Sequence, residues 1–159
     1  MMPLARIGSF VLLLAFAPWT ASACSCSPPP PVPQALREAR AVFAGRCVAA
    51  RLLPKGELCQ FTFEVQRTWK GIGGAKRVTV TTPSDSGMCG YGFHVGTAYI
   101  VYCEGAGRGL STNLCTRTRQ YGGIGNEDEE RALDAATRKR RNAKTPNQAM
   151  QRTAGRSAF

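Results

Sequence analysis

Apolar positions along the chain recur in short alternating runs separated by turn residues, the pattern of a small β domain. Leu58 to Trp69 sets Phe61, Phe63 and Val65 among polar neighbours, so one face of a strand is apolar and the other wet. Ala41 to Leu52 forms a strand-like run before it, and Pro54-Lys55-Gly56 supplies the turn between them. Arg77 to Thr82 alternates Val78 and Val80 with threonines, Thr97 to Cys103 is aromatic and β-branched, and Leu110 to about Thr116 gives a fifth strand. Upstream, Pro28 to Pro31 with Pro33 make a stiff extended lead-in, because each ring fixes φ and removes a backbone donor. Gln34 to Arg40 then predicts a short helix. Downstream, Asn126 caps a second helix, with Glu127 to Glu130 at its positive end and Arg138 to Arg141 at its negative end. That charge order makes the acidic run a helix start and not a metal site. The whole predicts a mainly β fold: a small five-stranded barrel of the OB type with a short N-terminal helix and a C-terminal helix.

The chain opens with a different pattern. Arg6 is followed by a short apolar stretch, Ile7 to Ala17, and by the small residues Ala21-Ser22-Ala23, which together predict a signal peptide over 1–23 and cleavage after Ala23. The apolar stretch is too short to span a bilayer and no later one is long enough, so no transmembrane segment is expected. Export implies a secreted or periplasmic protein. It also permits disulfides among the seven cysteines, at 24, 26, 47, 59, 89, 103 and 115, with at least one left unpaired by the odd count.

Charge changes the picture only at the C-terminus. The formal net charge is +11, but Arg138 to Phe159 holds seven basic residues and no acid, so the basicity belongs to the tail. Rich in Asn, Gln, Ala and Thr, residues 142–159 read as a disordered, solvated tail after a domain over 24–141, and not as a nucleic-acid site.

Catalytic constellations are absent from the sequence. His94 is the only histidine and reads as a polar turn or rim residue. Gly71 to Gly74 and Gly122 to Gly125 lack the Lys-Ser/Thr of a phosphate loop and read as turns. Trp69 is a core residue. No cofactor is expected and the chain does not read as an enzyme. The chemistry lies instead at Cys24, which after cleavage carries both a thiol and a free α-amine. With its own carbonyl oxygen, that amine forms a five-membered chelate for a metal once deprotonated, and its reference pKa of about 7.7 to 8.0 puts this near neutrality. A lipid anchor on Cys24 would abolish the chelate; Ala21 stands where a lipoprotein signal prefers leucine, which argues against one.

Cys24-Ser25-Cys26-Ser27-Pro28, then Pro33-Gln34-Ala35, Met88-Cys89-Gly90-Tyr91, Tyr99-Ile100-Val101 and Leu110-Ser111-Thr112-Asn113-Leu114-Cys115 together resemble the N-terminal domain of the tissue inhibitors of metalloproteinases, over about residues 24 to 120. The resemblance implies a netrin-type OB barrel with Cys24 bonded to Cys89 and Cys26 to Cys115. It further implies that the Cys24 amine and carbonyl bind the zinc of a target metalloprotease in trans and that Ser25 enters the specificity pocket. Ser27, Pro28 and the loop Gly87-Met88-Cys89 would complete the inhibitory ridge, with Cys26 holding it.

The sequence also departs from that family. Leu36 stands near the place of a third cysteine, whose late partner is missing too, and no counterpart of the second cysteine-rich domain is expected. Cys47, Cys59 and Cys103 are additional. Of their three pairings Cys47 with Cys59 is favoured, because they flank the predicted hairpin turn, which leaves Cys103 free. Such a chain looks like a bacterial exported relative. Two functions are expected from it: metalloendopeptidase inhibition, or a non-inhibitory envelope or interaction module in which the Cys-Ser-Cys triplet only anchors the N-terminus.

Overall fold

A computed structural model describes residues 24–105, 109–122 and 126–154, with side chains through residue 143; the predicted signal peptide lies outside the described residues. The elements are α1 (Val32–Glu38), β1 (Ala41–Leu52), β2 (Leu58–Lys70), β3 (Arg77–Pro83), a 3-10 turn at Ser86–Met88, β4 (Ala98–Cys103), β5 (Arg119–Gln120) and α2 (Asn126–Ala154). All neighbouring strands are antiparallel, in the order β3-β2-β1-β4-β5.

Long, irregular β1 is the axis of this sheet. Its register against β2 shifts at three places, between Val42 and Phe43, Ala44 and Gly45, and Cys47 and Ala49, and such bulges bend a strand and increase its twist. Gly45 is required at one of them, since a Cβ there would lie 2.7 Å from the Glu64 carbonyl oxygen. The curled sheet is closed by the chain around Ser111, which bridges Thr81 of β3 in parallel and Glu104, just after β4, in antiparallel sense. Thr81 N donates to Leu110 O and Thr112 N to Thr81 O, both at 2.9 Å, while Glu104 N donates to Ser111 O at 2.7 Å. The result is the five-segment OB-type barrel, but the expected fifth strand over Leu110 to Thr116 is reduced to these bridges. Asn113 turns the chain there, accepting from Cys115 N at 2.8 Å. The Thr112, Thr116 and Thr118 hydroxyls bond one another and the Tyr102 carbonyl, so polar side chains replace a ladder.

Two cores lie on the two faces of β1 and β4. Inside the barrel, Phe43, Phe61, Phe63, Val80, Phe93, Tyr99 and Val101 pack together, with Phe63 edge-on to Phe93 at 5.0 Å and to Phe43 at 5.7 Å. Outside, Val42, Ile100, Tyr102 and Trp69 are covered by Leu36 of α1 and Leu133 of α2. Burial on both faces is why β1 and β4 read as nearly continuous apolar runs, whereas β2 alternates. The Lys70 ammonium donates to the carbonyls of Leu36 at 3.0 Å, Arg37 at 2.8 Å and Ala39, and so fills the negative end of α1. At α2, Asn126 does not cap as expected: its amide donates to Gln120 O at 2.6 Å. The helix also runs to Ala154, past the domain boundary expected at residue 141. Ala, Gln, Lys, Met and Arg of this stretch are good helix formers even without an apolar face, although Pro146 lies within it.

Candidate functional site

Residues 24 to 30 carry no regular secondary structure, so something other than a ladder must hold them. Two disulfides do so. Cys24 is bonded to Cys89 with Cα atoms 5.2 Å apart, and Cys26 to Cys115 with Cα atoms 5.1 Å apart. Because the bonded cysteines are separated by 65 and 89 residues, three distant segments are drawn to one place: the N-terminal strap, the loop after β3 and the turn after the barrel closure. Leu114 N donates to Cys89 O at 2.8 Å and ties the last two together.

The loop after β3 is shaped by its own sequence. The Asp85 carboxylate accepts from Gly87 N at 2.6 Å, and the Asp85 carbonyl accepts from Met88 N and Gly90 N. Cys89 closes the turn in a left-handed conformation at φ 63°. Gly90 has no alternative, because a Cβ would come within 2.1 Å of Pro83 O. Tyr91 N then donates to the Thr82 hydroxyl at 2.8 Å. The Cys-Gly-Tyr run is thus one turn followed by a return to the barrel.

Ser25, Cys26, Ser27, Pro28, Gly87 and Met88 are exposed and Cys24 and Cys89 half-buried, all on this ridge. Two large apolar side chains sit on it in water: Met88 is 50% exposed and Leu114 43%. Sequence reasoning missed Leu114; its place beside a disulfide cysteine was the available signal.

A second missed group fixes the strap from beneath. Arg117 donates through Nη1 to Pro30 O at 3.0 Å, and through Nε and Nη2 to the Glu129 carboxylate. Glu129, from α2, is 3% exposed. It also accepts from the Tyr102 hydroxyl at 2.5 Å and lies 3.5 Å from Arg119. Burial alone would raise the Glu129 pKa, but the hydrogen bonds from Arg117 and Tyr102 and the charges of Arg117 and Arg119 outweigh it and hold the carboxyl below its ordinary value. Burial, followed by the bond to Glu129, pushes the Tyr102 hydroxyl the other way. Within the acidic run, then, Glu129 is structural. Its spacing with Asn126 and Leu133 on the buried helix face could have marked it.

The Cys24, Cys26 and Cys115 sulfurs lie within 4.8 Å of one another, yet each is in a disulfide, so in this oxidised state they offer no thiolate to a metal. The expected Cys47–Cys59 pair is corrected: Cys47, Cys59 and Cys103 are all free. Cys59 pairs with Leu52 across the hairpin, while Cys47 pairs with Phe63 further down the ladder, too far along β1 for a bridge to Cys59. Burial raises the Cys47 thiol and pushes Cys103 up to about 12. His94 is exposed in the turn before β4, where its backbone N donates to the Tyr99 hydroxyl at 2.9 Å. No protein-family model matches this chain and no curated protein matches it in sequence.

Proposed function

We propose that the chain is exported, cut after Ala23, and acts as a metalloendopeptidase inhibitor whose ridge enters the active-site cleft of a zinc protease. The observation that carries this reading is the double disulfide tie, which brings Cys24 and the Gly87-Met88-Cys89 loop side by side on an exposed ridge. Catalytic zinc keeps one coordination position open for water. The freed Cys24 amine and its carbonyl oxygen would fill that position as a chelate, and Ser25 would point into the adjoining specificity pocket. Ser27, Pro28, Met88 and Leu114 would line the cleft on either side. A strap already fixed by Cys89, Cys115 and Arg117 loses little freedom on binding, which favours affinity. The wedge offers no scissile bond at the zinc, so binding ends in inhibition.

A second reading is supported by the same bridges: they suffice to tie down a strap with no secondary structure, as an exported interaction or envelope module would need. The test is inhibition of a broad panel of zinc endopeptidases by the secreted protein, its N-terminus defined by intact mass. Inhibition of one or more enzymes by a chain beginning at an unmodified Cys24 is the expected result. No inhibition by that species, or a lipid on Cys24, would leave the interaction module as the better account.

A further inference from the structure

The two halves of α2 differ in charge. In the first half four of the five carboxylates are paired. Asp128 pairs with Arg131, Glu129 with Arg117, Glu130 with Arg67 and Tyr121, and Asp134 with Arg67 and the Trp69 indole N–H. From Ala135 to Ala154 the helix has no acid, and it carries Arg138, Lys139, Arg140, Arg141, Lys144 and Arg152. At 1.5 Å rise per residue this basic run extends over about 20 Å. Arg138 to Arg141 are exposed. Where α2 leaves β2, an open groove of about 340 Å³ is lined by Arg67, Thr68, Trp69, Thr137, Arg138 and Arg141, with Asp134 its one carboxylate. Arg67 is held there by Glu130 and Asp134, its guanidinium 5.2 Å from the Trp69 ring centroid.

Thr137 donates its hydroxyl to Leu133 O and Arg67 is held by Glu130 and Asp134, and the guanidinium groups of Arg138 and Arg141 with the Thr68 hydroxyl are the groove's match to the oxygens of a phosphate group. A single free phosphate would engage only the groove and leave Lys139 and Arg140 unused, whereas a planar array of phosphates engages the whole run. Nucleic acid fits less well, because Trp69, the groove's one aromatic side chain, is 8% exposed, with Arg67 over its ring and its N–H committed to Asp134, which leaves little ring face for bases to stack on. Beyond Arg138 the helix has Met150 as its only large apolar residue, so attraction to a surface is electrostatic and without insertion. We propose that the β2–α2 groove and the basic half of α2 dock the protein on the phosphate headgroups of an anionic lipid surface, independently of the protease-binding ridge.

The experiment is cosedimentation of the oxidised chain beginning at Cys24, which contains every described element, with vesicles. One set is phosphatidylcholine alone and the other an equimolar mixture with phosphatidylglycerol. Binding to the mixed vesicles at low salt, its loss at high salt, and none to phosphatidylcholine are expected. Arg138→Gln with Arg141→Gln should weaken binding about tenfold or more, since each basic residue near such a surface contributes substantially. Lys55→Gln with Lys76→Gln removes the same charge from exposed sites outside the groove and should weaken it no more than about threefold. Both variants should melt as the parent does. Equal losses in the two variants would overturn the proposal, as would salt-insensitive binding to phosphatidylcholine. So would displacement by inorganic phosphate at matched ionic strength, or tighter binding to duplex DNA than to the vesicles.

Discussion

The barrel interior and the exposed ridge solve the same problem, a unique conformation, by opposite means. Phe43, Phe63 and Val80 are fully buried and held by packing, with no covalent tie among them. The strap from Cys24 to Pro30 buries almost nothing and is held by two disulfides and the Arg117 contact to Pro30. The difference teaches where order must come from when function keeps a segment in water: with little apolar area to bury, covalent bonds and one half-buried ion pair supply the rigidity that hydrophobic contact supplies inside.

Emptying the interior should give the largest effect. Phe63→Ala removes a fully buried ring with three edge-on aromatic neighbours and should cost about 3 to 5 kcal/mol in denaturant unfolding; a cost nearer that of a surface substitution would mean the interior packing is not what holds the barrel. Cutting the ridge loose comes next. Cys26→Ser with Cys115→Ser opens a loop spanning 89 residues, and the chain-entropy account predicts a loss of up to about 4 kcal/mol. If the melting temperature barely moves, the Arg117 network and not the bridge fixes the strap.

Third is Glu129→Gln, which leaves Arg117 without its charged partner in a half-buried place and should cost about 3 kcal/mol. The pH dependence follows from the lowered Glu129 pKa. A depressed carboxyl contributes stability that is present above its unfolded value of about 4.3 and is lost as pH falls through the folded value. The wild-type chain should therefore lose more stability on acidification from neutrality than the Gln variant. Parallel curves would show that the Glu129 pair is not an acid-sensitive lock.

The strands β1 to β4 were legible because apolar alternation and turn residues mark them. β1 was readable end to end, and β2 and β3 miss by a residue at one edge. The barrel closure was not, since Thr112, Thr116 and Thr118 satisfy backbone groups through hydroxyls that leave no hydrophobic period. At the ridge, the residues could be named from the sequence, but their clamp could not. Arg117 and Glu129 stand in runs of like polar residues, and only the packing of α2 on β4 selects these two. The free state of Cys47 and Cys59 is not legible from their place around a turn, because ladder register sets their true separation.

The smallest effect expected is chemical and leaves stability untouched. Titration of the oxidised, denatured chain beginning at Cys24 should find three thiols. In the native state half-buried Cys59 should react first and Cys103, buried with its thiol pushed up to about 12, last. A single thiol would restore a third bridge.

The proposed inhibition rests on one atom, the Cys24 nitrogen. Adding one alanine before Cys24 in the processed protein converts that amine to an amide, a poor zinc ligand, and leaves both disulfides and the barrel intact. Inhibition of a susceptible zinc endopeptidase should collapse while the melting temperature and circular dichroism spectrum stay those of the parent. Undiminished inhibition by the extended protein would contradict the account.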